Sequence, residues 1–133
     1  MSEVKIYTDG GSRGNPGEGA IGFVVLVNGQ ELTRQGYRVG WVTNNQAEYQ
    51  AVLAALDYIL ENNLRGKIDF YLDSQLIARQ LAGEYKVKDN QLKILFEQAK
   101  SKIDRIGQSV CFSHIKREEN KIADSLVNKA LDG

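Results

Sequence analysis

The sequence holds one cysteine, one proline, one methionine, one tryptophan and one histidine among 133 residues. The lone Cys111 excludes an intramolecular disulfide framework and a cysteine-rich zinc site. Long hydrophobic runs are missing as well. The longest unbroken stretch of apolar residues and glycine, around Phe23 to Val27, is far shorter than the roughly twenty residues a bilayer span needs, so no membrane partner is expected. The opening MSEVKIYTDGG has no basic start followed by an apolar core; no secretory leader is expected, and the protein reads as cytoplasmic. An excess of charge is absent too, with 17 basic residues against 17 acidic. A nucleic-acid binder usually looks basic. The balance weighs against such a partner unless a cluster of metal-binding carboxylates distorts the sum. What is present is ordinary: 42% hydrophobic and 26% charged residues, the mix of a globular domain. A chain of this length buries roughly two-thirds of its surface on folding, enough for one core without staples. Residues 1–133 are therefore read as a single domain, and as a monomer.

Along the chain, Val4 to Asp9 is β-branched and aromatic and reads as a strand, with Asp9 at its end. Gly10 to Gly17 reads as a glycine-rich loop. Ala20 to Val27 reads as a second strand. Asn28-Gly29 is a hairpin signal, and a third strand follows to about Gly40. Ala47 to Leu60 is rich in alanine and leucine at helical spacing, with Thr43 or Asn44 as its N-cap and Asn62-Asn63 at its end. Lys67 to Asp73 reads as a strand. Ser74 caps a short helix to about Ala82, stopped by Gly83. Asn90 to Ile106 reads as a helix, Ser109 to Ile115 as a strand, and Glu118 to Leu131 as a helix with an apolar stripe of Ile122, Ala123, Leu126, Val127 and Ala130. The order βββαβααβα implies an α/β fold: a five-stranded mixed sheet, its first three strands antiparallel, flanked by helices.

Gly17-Glu18-Gly19-Ala20-Ile21-Gly22 matches the dinucleotide pattern G-x-G-x-x-G in form only. That motif must open a helix, where phosphate meets the helix N-terminus. Here it runs into a strand. The carboxylates say more. Asp9 and Asp73 sit at expected strand ends, where α/β sheets build their sites. Glu48 shares a helix face with Val52, Ala55 and Ile59, out of place there unless paired or bound to metal. Asp124 has Val127 and Leu131 at i+3 and i+7. Any one of these acids alone reads as a turn residue or a solvated charge. Spacing alone does not show that the four converge.

The segments Asp9 to Gly17, Thr43-Asn44-Asn45-Gln46-Ala47-Glu48, Asp73-Ser74-Gln75 and Asn120 to Asp124 resemble type 1 ribonuclease H, in this order and at these separations. The resemblance covers nearly the whole chain. It implies a ribonuclease H fold and hydrolysis of the RNA strand of RNA–DNA hybrids, leaving 5′-phosphate and 3′-hydroxyl ends. It also implies that Asp9, Glu48, Asp73 and Asp124 are catalytic and hold two Mg²⁺ ions, or Mn²⁺. Hard oxygen ligands suit these ions, and a pair of them suits an in-line displacement.

By the same resemblance Gly14, Asn15, Asn45 and Gln75 contact the RNA strand near its 2′-hydroxyls. Thr43 and Asn44 lie where the DNA strand is gripped. Amide side chains both donate to and accept from a 2′-hydroxyl; helix capping is the plainer use of Asn44.

Two departures from the bacterial form stand out. Gly83 to Asp89 passes almost directly to the next helix where that form has a basic extension, leaving Lys86, Lys88 and Lys93 as a modest basic patch. The loop before the last helix is short, as in the archaeal and plant-type branch. His114 lies in the expected strand, out of line with the loop histidine of the bacterial form, and reads as a packing or hydrogen-bonding residue. Arg117 or Glu118 is a candidate to act in that histidine's place. Setting the four site acids against metal leaves an excess of four positive charges, compatible with a salt-sensitive nucleic-acid contact. Partners expected are the RNA–DNA hybrid and, further, double-stranded RNA. The rival readings are a catalytically silent hybrid- or duplex-binding module and another nuclease of the same fold, a resolvase or exonuclease.

Overall fold

A computed structural model describes residues 2–133; Met1, the first residue of the expected domain, lies outside the described residues. The elements are β1 (Glu3–Gly14), β2 (Gly17–Val27), β3 (Gln30–Val42), α1 (Asn44–Glu61), β4 (Lys67–Leu72), α2 (Gln75–Leu81), α3 (Asn90–Ile106), β5 (Val110–His114), a 3-10 turn (Arg117–Glu119) and α4 (Lys121–Asp132). The five strands form one sheet in the order β3-β2-β1-β4-β5. β1 and β3 flank β2 antiparallel, while β1–β4 and β4–β5 are parallel. The mixed sheet and the order βββαβααβα stand as expected, with one added 3-10 turn.

Local chemistry explains most boundaries. Asn28 and Gly29 both take positive φ, 51° and 83°, the geometry that matches the twist of a tight hairpin. Thr43 caps α1: its side chain accepts from Gln46 N–H, and the Gln46 side chain accepts from Thr43 N–H, a reciprocal box that satisfies two orphan donors. Ser74 and Asp89 cap α2 and α3 in the same way with one bond each. Between the sheet and α1 lies the main core, with Ile6, Phe23, Tyr49, Leu56 and Phe70 at 1% exposure or less. Tyr49 keeps its hydroxyl satisfied by donating to Gln80 Oε1 at 2.7 Å.

Three expectations change. The glycine-rich stretch is not a loop: β1 continues to Gly14 and β2 begins at Gly17, so only Asn15 and Pro16 turn. Gly10 serves packing, whereas Gly14, at φ 95°, serves the turn. A Cβ on Gly10 would stand 2.3 Å from Ala47 O, so a side chain there would push α1 off the sheet. Asp9 consequently lies inside a strand, paired with Gly22, and not at a strand end. Lastly, α4 starts at Lys121 and not at Glu118, because residues 117–119 form the 3-10 turn. Its buried stripe is Ala123, Val127 and Leu131, and Ile122 is 43% exposed. One residue is about 100° of helix, which carries Ile122 off the face that meets the sheet. The glycines of Gly17 to Gly22 lie within β2, so no helix opens there to receive a dinucleotide phosphate.

Candidate active site

Register builds the site. The parallel pair β1–β4 ends at Thr8 opposite Leu72. β4 stops there, while β1 runs on along β2. Asp9 and Asp73 are the next residues of their chains, so both emerge at the C-terminal end of the parallel pair, where α/β sheets place ligands. Glu48 comes from the first turns of α1, brought close by the missing side chain at Gly10; its Oε1 accepts from Gly10 N–H at 3.3 Å. One carboxylate oxygen each from Asp9, Glu48 and Asp73 lies within 4.8 Å of the others. Asp124, on the first turn of α4, lines the same cleft but stands outside that group; its Oδ2 accepts from Asn128 Nδ2 at 3.4 Å.

The electrostatics of this cluster follow from burial. Asp9 and Glu48 are each only 7% exposed. Burial pushes the Asp9 carboxyl up to about 7, with the charges of Asp73 and Asp124 adding to the rise and a hydrogen bond with Glu48 opposing it. Glu48 is held well above the usual carboxylate range, first by burial and then by the charge of Asp9. Glu48 Oε2 is buried with no hydrogen-bond partner. A buried, orphaned oxygen on a carboxylate grouped with two others is costly, and a hard divalent cation is the group whose chemistry resolves it. The donor set therefore fits such an ion.

The cleft measures about 380 Å³ and is lined by these four acids together with Ser12, Arg13, Asn44, Asn45, Ser74 and Arg117, among others. Of the expected substrate residues, Asn44 and Asn45 are in it. Gly14, Asn15, Thr43 and Gln75 are not among its lining. Asn15 adjoins it: its Oδ1 accepts from Asn44 N–H at 3.0 Å. Thr43 is occupied as the α1 cap and faces a neighbouring groove with Pro16 and Trp41. Asn44 is not the cap. Its Oδ1 instead accepts from Ser12 N–H and Oγ at 2.9 and 3.1 Å, tying α1 to β1. Gln75 opens α2, exposed, and is satisfied with its oxygen toward Arg79 Nε and Nη2 at 3.1 and 3.3 Å. His114 is exposed at the end of β5, opposite Leu72, and does not line the cleft. Arg117 does line it, whereas Glu118 faces a different groove. Lys86, Lys88 and Lys93 gather at one groove beside Tyr85 and Phe96.

Sequence reasoning assigned no role to Asn120, which is 1% exposed. Its Nδ2 donates to Thr8 O at 2.8 Å and to Asp73 Oδ2 at 3.2 Å, and its carbonyl accepts from Asp124 N–H at 3.1 Å. One residue thus joins the strand carrying Asp9, the carboxylate of Asp73 and the helix carrying Asp124. In the sequence it stood only as a member of the Asn120 to Asp124 segment, inside the expected helix; in the structure it occupies the N-cap position of α4, yet its side chain makes no capping bond. Partners of a ligating carboxylate typically matter about 10- to 100-fold in metal affinity. Asn120→Ala is expected to weaken divalent-cation binding by that much, read by calorimetric titration of the folded variant. Unchanged affinity would mean Asp73 is held by something else.

Comparison with known proteins agrees with this geometry. The family model described as reverse transcriptase-like matches residues 7–130. Ribonuclease HI of Halobacterium salinarum is 37% identical over 130 residues, covering 97% of this chain and 64% of that protein. A bifunctional protein of Mycobacterium tuberculosis is 34% identical over 132 residues, covering 98% of this chain and 36% of that protein. The chain thus spans less than two-thirds of the length of either. Among solved structures, LC11-RNase H1 in complex with RNA/DNA hybrid superposes with a TM-score of 0.91 at 40% identity, covering 97% of this chain and 96% of that one.

Proposed function

From a chain that belongs to the type 1 ribonuclease H family, within the reverse transcriptase-like domains, we propose an endonuclease that hydrolyses the RNA strand of RNA–DNA hybrids. The convergence of Asp9, Glu48 and Asp73 oxygens within 4.8 Å, in an open cleft, carries this reading. Asp9, Glu48, Asp73 and Asp124 would hold two Mg²⁺ ions, with Mn²⁺ as a substitute. Bound there, such ions would activate the attacking water and steady the leaving 3′-oxygen. The rest falls to the protein. Burial keeps Asp9 and Glu48 in a low-dielectric wall that strengthens their hold on a cation. Asn120 sets the separation of the β1, β4 and α4 acids.

The cleft rim supplies the hybrid contacts. The Oδ1 atoms of Asn15 and Asn44 are already accepting from protein N–H groups, so both side chains present their amide N–H donors outward. Gln75 does the same once its oxygen faces Arg79. Outward donors on a rim suit the 2′-hydroxyl and phosphate oxygens of a nucleic acid. Gly14, Thr43 and Asn45 complete this proposed strip. The proposal takes residues 1–133 as one catalytic domain, monomeric and cytoplasmic, with the hybrid as partner and double-stranded RNA as a further one. No helix among the described residues is long and apolar enough to cross a membrane.

The test is purified protein with end-labelled hybrid, RNA duplex and DNA duplex, in Mg²⁺, Mn²⁺ or chelator. Internal cuts in the RNA strand of the hybrid, with 5′-phosphate ends and only with metal, are expected. Hybrid binding without cutting would make the protein a silent binding module. Equal cutting of DNA duplex would move it to the resolvase or exonuclease class.

A further inference from the structure

Among the described residues, Arg13 and Arg117 are the only basic side chains lining a cleft that carries four carboxylates. Such a cleft resists a polyanion, so what its few cations do governs how nucleic acid enters. Arg13 is engaged: its Nη2 pairs with Asp132, the last residue of α4, 119 positions along the chain. Both side chains are largely exposed, at 52% and 65%. An acid at a helix C-terminus opposes the helix dipole, so Asp132 gains nothing from α4 itself. Its position is nevertheless fixed. Arg38 Nε and Nη2 donate to the carbonyls of Ala130 and Leu131 at 3.0 and 2.8 Å, which pins the final turn of α4 against β3. On the other side, Ser12 anchors the chain next to Arg13 through Asn44, while the guanidinium stands on a long, largely exposed stem.

An exposed ion pair of this kind is weak, whereas a guanidinium takes a phosphate through two parallel hydrogen bonds. We propose that Arg13 is a contact for a backbone phosphate of the nucleic acid, and that Asp132 is a built-in competitor that occupies Arg13 until a phosphate displaces it. The inference rests on the hybrid reading above. It gives the two partners of one ion pair opposite effects, which a structural clamp would not.

The experiment measures hybrid binding by fluorescence anisotropy in chelator, across a salt series, and KM for cleavage with Mg²⁺, with thermal melting as a control for folding. Asp132→Asn is expected to bind about two- to fivefold tighter and to lower KM. Arg13→Gln is expected to bind about tenfold more weakly and to reduce the slope of log affinity against log salt by about 1. The double variant is expected to match Arg13→Gln alone, because Asp132 acts through Arg13. If Asp132→Asn weakens binding, or Arg13→Gln leaves affinity and salt slope unchanged while the wild type still cuts hybrid, the phosphate contact is overturned and the hybrid reading survives. If the wild type neither binds nor cuts hybrid, both fall together.

Discussion

Asp73→Asn is expected to reduce hybrid cleavage by a factor on the order of 10³ or more while leaving fold and hybrid binding intact. The size follows from the place of this side chain. One of its oxygens belongs to the 4.8 Å group with Asp9 and Glu48, while Oδ2 accepts from Asn120 Nδ2. An outer partner of a metal ligand is typically worth about 10- to 100-fold, and loss of a ligand itself costs more. Asparagine keeps the shape but removes the negative charge on which a hard cation depends. It also sets its amide against the Asn120 donor if the nitrogen faces that way. Asp73 is half-buried in the short link between β4 and α2, so the fold has little reason to fail. Steady-state cleavage in Mg²⁺, with melting and anisotropy on the same preparation, is the measurement. Turnover near that of the wild type would remove Asp73 from the site.

How much of this was legible in the sequence depends on what each feature requires. Helix α3 was legible to its last residue, because an Asp cap, an amphipathic run and a terminal Gly107 at φ 73° are all local. The mixed α/β order was legible for the same reason. The run Gly10 to Gly17 was misread because glycine in a strand looks locally like glycine in a loop. What separates the two is the arrival of Ala47 from 37 positions away, which local pattern does not contain. The acids of the cluster were legible as out-of-place residue types, and the family resemblance supplied their grouping. Their approach to one another rests on β1 and β4 being neighbours, a long-range fact. Asn120 and the Arg13–Asp132 pair were invisible for that reason too: their contacts bridge 112 and 119 positions.

The same cluster makes a definite demand on stability without metal. The Asp9 carboxyl ordinarily titrates at 3.8 and stands at about 7 in the folded protein. Glu48 is raised as well, mainly by burial. A raised folded value means the native state keeps a proton that the unfolded chain gives up. Stability from this source is complete below about 4, declines as pH rises from there to about 7, and is flat above. In chelator the wild type is therefore expected to melt lower at pH 8 than at pH 5.5. The stake for Asp9 alone is on the order of a few kcal/mol. Asp9→Asn removes the buried charge at the cost of an amide that must find partners, so the net gain is smaller. At pH 8 in chelator the variant is expected to melt about 3–8 °C above the wild type, with the difference vanishing near pH 4. Divalent cations reverse the order, because they bind the folded, ionised cluster and stabilise by mass action. Mg²⁺ is expected to raise the wild-type melting temperature more at pH 8 than at pH 5.5, and to raise that of Asp9→Asn less. Differential scanning fluorimetry over this pH range, with chelator and with Mg²⁺, reads all of these. A variant that melts below the wild type at pH 8 in chelator, together with an equal Mg²⁺ shift for both proteins, would mean that Asp9 is not under strain from a shared cation site.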